Sequence, residues 1–408
     1  MAGTKMTKSE RSWIMYDVGN SSFVLLATAL VPIYFSTLAP EGTSVVVAWG
    51  YAETVASLVI ALLMPILGSL ADLAGMKKKF VLGTVATGVV ACVCLGFPTN
   101  AWVFLVLYVI SSIMLNSSMV FYDALLVDAT TEDRYDEVSS HGYAWGYIGS
   151  CVPFIVCLAV VLGRDAIGID FTVAMRLAFI ITALWWVAFT IPMLRNVSQT
   201  HFKQRPARLI VDSFKGLGKT LTNIFKDKKL RYFMLAFFFY IDGVHTIIKM
   251  STSYGTDLGI DSTQLVIALL VTQFVAFPSA IVYGKLGHKV GTKKMLLVGI
   301  AAYMCITLFA AFFLKTALEF WILAICVGLF QGGIQALSRS EFGKLVPKEN
   351  ANEYFGFFDI FGKYAAVMGT FLVGFITQIT GVSSLGVLGL AILFVLGFIF
   401  MWKVPDAS

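Results

Sequence analysis

Asp242, His245 and Lys249 stand three and four residues apart in FFFYIDGVHTIIKM, a stretch otherwise dominated by apolar residues. On a helix that spacing gathers the three side chains into one stripe. A charge at the centre of a bilayer costs at least about 2.5–3.5 kcal/mol on insertion scales, so each ionisable group in an apolar run is a functional candidate. The stripe suits a cavity site. Lys249 would hold a substrate carboxylate or phosphate, Asp242 would exchange a proton or bind an amine, and His245 would tune either. The alternative is a self-neutralising pair that only lets the helix face water.

Other polar groups interrupt apolar runs at helical spacing. Asp17 and Asn20 are three apart in RSWIMYDVGNSSF, and Asp123 lies one to two turns beyond Asn116, Ser117 and Ser118. Gln331, Gln335 and Arg339 step by four, and Asp359 and Lys363 are four apart. Asn20, Asn116, Gln331 and Gln335 are assigned to the substrate cavity. Asp17, Asp123, Arg339, Asp359 and Lys363 fall near the same end of their runs and are assigned to a gate. Arg339 meeting Asp17 or Asp123 would make a latch, because a buried pair is strong only while both partners are present. The alternatives are that Asp17 caps its helix and that Asp359 pairs only with Lys363.

The elements that must position these groups are membrane spans. Hydrophobic residues make up 58% of the chain and charged residues 13%, so lipid must be its solvent. Apolar runs near 13–38, 45–71, 80–98, 102–127, 140–163, 173–194, 231–255, 263–286, 294–315, 319–340, 355–380 and 383–402 predict twelve transmembrane helices. Their uniformity excludes the alternating strands of an outer-membrane barrel. The first run is too long for a signal-peptide core and reads as a retained span. All six cysteines fall inside spans and read as packing residues. Gly142, Gly146 and Gly149 mark a close helix–helix seam. Trp102, Tyr108, Trp321 and Trp402 read as interfacial anchors.

The net charge of +6 is a topology signal. Lys5, Lys8, Arg11, Lys77–Lys79, the 195–231 stretch, Lys285–Lys294, Arg339–Lys348 and Lys403 fall on one side of twelve alternating helices, which places both termini in the cytoplasm. Short loops and tails fit a bacterial inner membrane. Nucleic acid need not be invoked. The chain divides into six spans at 1–194, a cytoplasmic linker at 195–230 and six spans at 231–408. In the linker Ile210, Phe214, Leu217, Leu221 and Ile224 recur at helical spacing among lysines, as in a helix lying on the membrane surface, or else a soluble linker.

A repeat supports two related halves. GSLADLAGMKK (68–78) and GKLGHKVGTKK (284–294) align Gly68 with Gly284, Gly75 with Gly291, and Lys77 and Lys78 with Lys293 and Lys294. The glycines permit a tight turn, and the lysines are expected to face the anionic leaflet and helix C-termini. The pattern resembles the loop motif of the major facilitator superfamily. Asp72 matches its acidic position, and His288 departs from it. WIMYDVGNSSF, FYDALLVD, VSSHGYAWGYIG, FFFYIDGVHTI, QALSRSEFGKLVP and EYFGFFDIFGK together resemble the branch of autophagy-related vacuolar effluxers and their bacterial homologues. Gly19-Asn20-Ser21, Tyr122-Asp123-Ala124 and Thr370 depart from that branch's usual residues.

The resemblance implies an all-α fold of two pseudo-symmetric six-helix bundles around a central cavity, with transport by rocking of the halves. It also implies small solutes, amino acids being the best-known substrates of fungal members. The expected function is secondary transport of a small polar or zwitterionic solute, coupled to protons, by a monomer without cofactor or metal. The alternatives are an exporter or flippase of amphiphilic molecules, suggested by 34 phenylalanines, and a channel or receptor scaffold. No nucleotide-binding signature is present, and His141, His201, His245 and His288 are scattered without metal-ligand spacing, which argues against an enzyme.

Overall fold

The computed structural model describes residues 5–41, 45–204, 209–257 and 259–405. The helices are α1 (Lys8–Ala29), α2 (Val31–Leu38), α3 (Val45–Ala71), α4 (Lys77–Cys94), α5 (Ala101–Ala124), α6 (Leu126–Ala129), α7 (Tyr135–Leu162) and α8 (Phe171–Asn196). They continue as α9 (Leu209–Lys226), α10 (Lys228–Asp257), α11 (Ser262–Val290), α12 (Thr292–Phe312), α13 (Ala317–Leu345), α14 (Ala351–Thr380) and α15 (Ser383–Trp402). Ten of these are long and apolar enough to cross a membrane, or eleven if α1 and α2 form one bent span. Helices suit this solvent because they satisfy every backbone polar group within one segment.

Two expected spans differ from the prediction. The first breaks at Leu30, and α2 departs from α1 by 45°. Pro32, in the first turn of α2, cannot donate to the carbonyl one turn back and its ring crowds that carbonyl, so the run cannot continue straight. The span expected at 80–98 begins on three lysines and ends at Cys94, which leaves α4 outside the set that passes on length and apolarity.

The chain separates into two compact units. Unit 1 holds Met1–Thr130, Trp145–Leu217 and Lys348–Gly356, and unit 2 holds Thr131–Ala144, Gly218–Pro347 and Phe357–Ser408. In unit 1, α1 packs on α8, and α3 and α4 pack on α5. Glycines allow the close approaches. A Cβ on Gly149 would stand 2.5 Å from Val18 Cγ1, and one on Gly146 would stand 3.4 Å from Asp17 Cβ, so this part of the glycine seam fixes α7 against α1. Tyr16 Oη donates to Ser118 Oγ at 2.5 Å, tying α1 to α5.

In unit 2, α10 and α12 pack on α15, and α13 packs on α11. Tyr240 and Ser338 share a 2.6 Å hydrogen bond that ties α10 to α13. This duplicates the Tyr16–Ser118 tie of unit 1. Phe237 stacks on Phe358 with centroids 3.9 Å apart, and Phe358 stacks on Phe342 at 4.5 Å.

The linker forms α9, with Ile224 buried and Leu221 and Phe225 exposed. The side chains of Ile210 and Phe214 lie outside the described residues. Tyr108 is not the interfacial anchor expected of it. It is buried on α5, and its hydroxyl donates to Glu53 of α3.

The repeated turns need glycine for their backbone. Gly75 has φ +72° and Gly291 φ +105°, in the left-handed region that a Cβ disfavours by about 1–2 kcal/mol. Gly75→Ala and Gly291→Ala are each expected to lower the thermal midpoint in detergent by that order. Gly83→Ala, at an exposed helical site with nothing within 4 Å of an added Cβ, should leave the midpoint unchanged or raise it.

Candidate functional site

The stripe on α10 lies within unit 2. Asp242 is fully buried. Its Oδ1 accepts the backbone N–H of Gly369 on α14 at 2.9 Å and the Thr246 hydroxyl at 3.3 Å. Its Oδ2 is buried and has no hydrogen-bond partner among the described residues. A Cβ on Gly369 would sit 2.5 Å from Asp242 Oδ1, so the missing side chain is what lets α14 reach the carboxylate. His245 is half-buried, with Gln335 of α13, Lys249 and Lys363 close enough to influence it. Lys249 is exposed, and among the described residues no ion pair within 4.0 Å joins it to Asp242, although it is close enough to influence that carboxylate. Gln335 Nε2 donates to the Gln331 carbonyl at 3.1 Å, with Gln331 buried. Lys363 and Asp359, one turn apart on α14, are ion-paired to each other.

The polar group at the head of the chain lies within unit 1. Asp17 is buried, and Tyr122 Oη donates to its Oδ2 at 2.6 Å. Asn20 Nδ2 donates to the Tyr16 carbonyl at 2.9 Å and reaches Asp17 Oδ1 at 3.5 Å. Trp13 stacks on Tyr122 at 4.4 Å. Asp17 does not cap α1, because the helix begins earlier with a capping box between Thr7 and Glu10. Asp123 is half-buried beside Tyr122 on α5. Asn116 turns back on its own helix and donates to the Ser112 carbonyl at 2.7 Å. Arg339 belongs to unit 2 and is buried there. Its Nε donates to Ser139 Oγ and its Nη2 to the Ser139 carbonyl, both at 2.9 Å, while its guanidinium lies 4.4 Å from the Tyr143 ring centroid.

The glycine-rich repeat builds a helix clamp in each unit. In unit 1, Asp72 accepts Asn352 N at 2.9 Å, Asn352 Nδ2 at 2.8 Å and Glu353 N at 3.0 Å, at the start of α14. Gly68 allows this contact, since its Cβ would stand 2.6 Å from the Asn352 carbonyl oxygen. Lys203 pairs with Glu353 and stands 4.0 Å from Asp72. Lys77 is a correction to the sequence reading. Instead of facing the leaflet it is fully buried and donates to Asp128 Oδ2 at 2.7 Å. Asp128 Oδ1 accepts the N–H groups of Thr200 and His201, each at 2.8 Å, so it needs a cation that the bilayer surface could not supply. Lys78 is half-buried.

In unit 2 the second copy has His288 where the first has Asp72, and His288 is exposed. The acid comes from the helix start instead. Asp136 accepts Thr292 Oγ1 at 2.8 Å, Lys344 Nζ at 2.8 and 2.9 Å, and Ser340 Oγ. Gly284 gives it room, with an added Cβ 2.9 Å from the Asp136 carbonyl oxygen.

Asp128, Asp136, Ser139, Lys203, Ser340 and Lys344 make these buried contacts, and the sequence analysis did not single them out. Most of them stand in the stretches quoted above, and no spacing rule joins groups 50 to 200 positions apart.

Comparisons with known proteins bear on the family and the fold. A family model described as vacuole effluxer Atg22 like matches residues 41–407. An MFS-type transporter of Bacillus subtilis (strain 168), YxiO, is 47% identical over 99% of this chain and 96% of its own length. Autophagy-related protein 22 of Cryptococcus neoformans var. neoformans is 26% identical over 63% of this chain, a match that spans 48% of the fungal protein. Among solved structures, the major facilitator transporter FucP in its outward conformation superposes with a TM-score of 0.74 at 14% identity, covering 97% of this chain and 98% of that one. The human organic anion transporter MFSD10 superposes with a TM-score of 0.73 at 12% identity, covering 96% and 99%.

The Asp72 clamp predicts a pH dependence. Burial pushes its carboxyl from 3.8 up to about 6, against Lys77, Lys203 and the Asn352 donors that favour the charged form. The folded chain therefore holds this proton more tightly than the unfolded chain. The contribution is complete below about pH 4 and is lost as pH rises through about 6. The thermal midpoint in detergent should fall between about pH 4 and 6, with a loss of at most about 1.4 kcal/mol of stability per pH unit from this group. Asp72→Asn should flatten the fall, and an unaltered slope would assign it to other groups.

Proposed function

This chain belongs to the Atg22-like vacuole effluxer family of major facilitator transporters, and on that premise we propose that it is a proton-coupled secondary transporter of a small zwitterionic, amino-acid-like solute. The observation that carries the proposal is Asp242, a carboxylate within a span that is held through one oxygen while the other is buried without a partner. A buried ion without full compensation is costly. A proton on Oδ2 removes that cost without disturbing the Gly369 and Thr246 bonds on Oδ1. Taking up and releasing this proton changes the charge of the stripe while the packing of α10 on α14 persists.

The same stripe supports the substrate class. Lys249 is exposed one helical step from His245 and offers its ammonium to a carboxylate. Gln331 and Gln335 supply amide groups from α13, and Asn20 and Asn116 are the corresponding amides of unit 1. Asp17, Asp123, Arg339, Asp359 and Lys363 serve the gate. Tyr122 restrains Asp17 and Ser139 restrains Arg339. The two glycine-rich clamps hold the first turns of α14 and α7, and their release and recapture accompany transport. The lysine and arginine bias puts the clamps and both termini on the cytoplasmic face of a bacterial plasma membrane. The transporter acts as a monomer.

Reconstitution in liposomes tests the coupling. A panel of labelled amino acids should reveal a solute whose accumulation follows an imposed pH gradient and collapses with a protonophore. Asp242→Asn should reduce gradient-driven accumulation to the level of protein-free liposomes while keeping solute counterflow. Full gradient-driven uptake by Asp242→Asn would reject the assigned role.

A further inference from the structure

Glu53 is an ionisable group inside a span that the transport reading leaves unused. It lies on α3, about 12 Å along the helix from Val45, and is half-buried. Intramembrane acids are retained where they act, and the partner of this one is specific. Tyr108 of α5 donates its hydroxyl to Glu53 Oε1. Oε2 has no hydrogen-bond partner among the described residues.

The surroundings are aromatic. Trp49 precedes Glu53 by one turn on the same face of α3 and packs against Tyr108 with centroids 4.1 Å apart and planes inclined by 36°. Phe35 of α2 also stands near Trp49, with ring centroids 6.4 Å apart. Along α5 the polar face continues by one residue per turn. Ser112 lies close enough to Tyr108 to influence its hydroxyl, and Asn116 donates to the Ser112 carbonyl. The whole arrangement falls within unit 1.

Three ligand chemistries can meet such a carboxylate. A hard metal ion asks for about six oxygen ligands, and the described site offers only Glu53 and the Tyr108 hydroxyl. A proton needs the carboxylate but gains nothing from the rings. An organic ammonium uses both, pairing with the carboxylate while its N–H or N–CH₃ groups lie against the part of the indole that Tyr108 does not cover.

We propose that Glu53, Trp49 and Tyr108 form a binding site for an organic ammonium group. The proposal rests on the transport reading and adds to unit 1 a site for a solute bearing an ammonium group. It is tested without a pH gradient, so its failure and the failure of proton coupling are separate results.

The experiment uses the purified full-length protein in detergent, titrated with tetramethylammonium chloride, with methylammonium chloride and, at matched ionic strength, with sodium chloride. Both ammonium salts should raise the thermal midpoint in a saturable way, and sodium chloride should not. Glu53→Gln keeps an oxygen to accept from Tyr108 and should weaken ammonium binding by roughly tenfold or more. Trp49→Leu should weaken it as well, and Trp49→Phe should weaken it less than Trp49→Leu. Equal shifts from sodium chloride, no saturable shift from either ammonium salt, or unchanged affinity in both Glu53→Gln and Trp49→Leu would overturn the site. If Glu53→Gln lowers the midpoint of the ligand-free protein, the two Trp49 variants decide between binding and a purely structural tie.

Discussion

The first N–H groups of a helix have no partner inside it, and a helix that begins within protein has no bulk water to supply one. This protein meets the requirement with buried carboxylates. Asp72 takes the backbone N–H groups of Asn352 and Glu353 at the start of α14, and Asp128 serves irregular chain in the same way, taking those of Thr200 and His201 beyond the end of α8. A carboxylate so placed needs a cation, and Lys77 and Lys203 are the ones present. Removing a partner from a buried pair strands the other charge at a cost of about 3–5 kcal/mol. The loop after α3, the start of α14 and the chain beyond α8 are consequently held as one assembly in unit 1. A parallel backbone bridge between Leu73 and Lys203 adds to it.

Unit 2 also has a buried carboxylate beside the repeated turn, but this one is held by side chains, those of Thr292, Ser340 and Lys344. The repeated glycines keep their places, but His288 replaces the acid of the loop and Asp136 supplies a carboxylate from the start of α7. A duplicated scaffold therefore constrains where a carboxylate must be, and leaves open which element provides it. The tyrosine–serine ties behave differently. Tyr16 with Ser118 and Tyr240 with Ser338 are copied intact, because a buried hydroxyl pair works only when both members are present.

Much of the fold was legible because lipid imposes a simple code. Long apolar runs had to be helices, and their number and boundaries followed closely from hydrophobicity alone. The break at Leu30 was legible in principle, since Pro32 sits inside the first run. The stripe on α10 was legible because helical spacing gathers its members, as was the pairing of Asp359 with Lys363. What spacing could not give was partnership across the sequence. Lys77 looked like a surface lysine until Asp128, on a different helix, was seen to hold it. Tyr108 looked like an interfacial ring because it stands near a span end. Its burial against Glu53 depends on how α3 and α5 meet.

The acids inside the spans differ in how completely they are held, and that difference separates support from chemistry. Asp17 is gripped through Tyr122 on one oxygen and approached by Asn20 on the other, with Trp13 and Tyr16 packed around Tyr122. The Tyr122 hydrogen bond is the firm one of these two, at 2.6 Å, and the Asn20 amide stands at 3.5 Å. Asp242 is anchored through Oδ1 alone, by a backbone N–H that stays in place because Gly369 has no side chain to push α14 away. Its other oxygen can change state while the anchor holds. Under the proposed proton coupling, a carboxylate fixed through one oxygen is the arrangement that can alter its charge without loosening the helices around it.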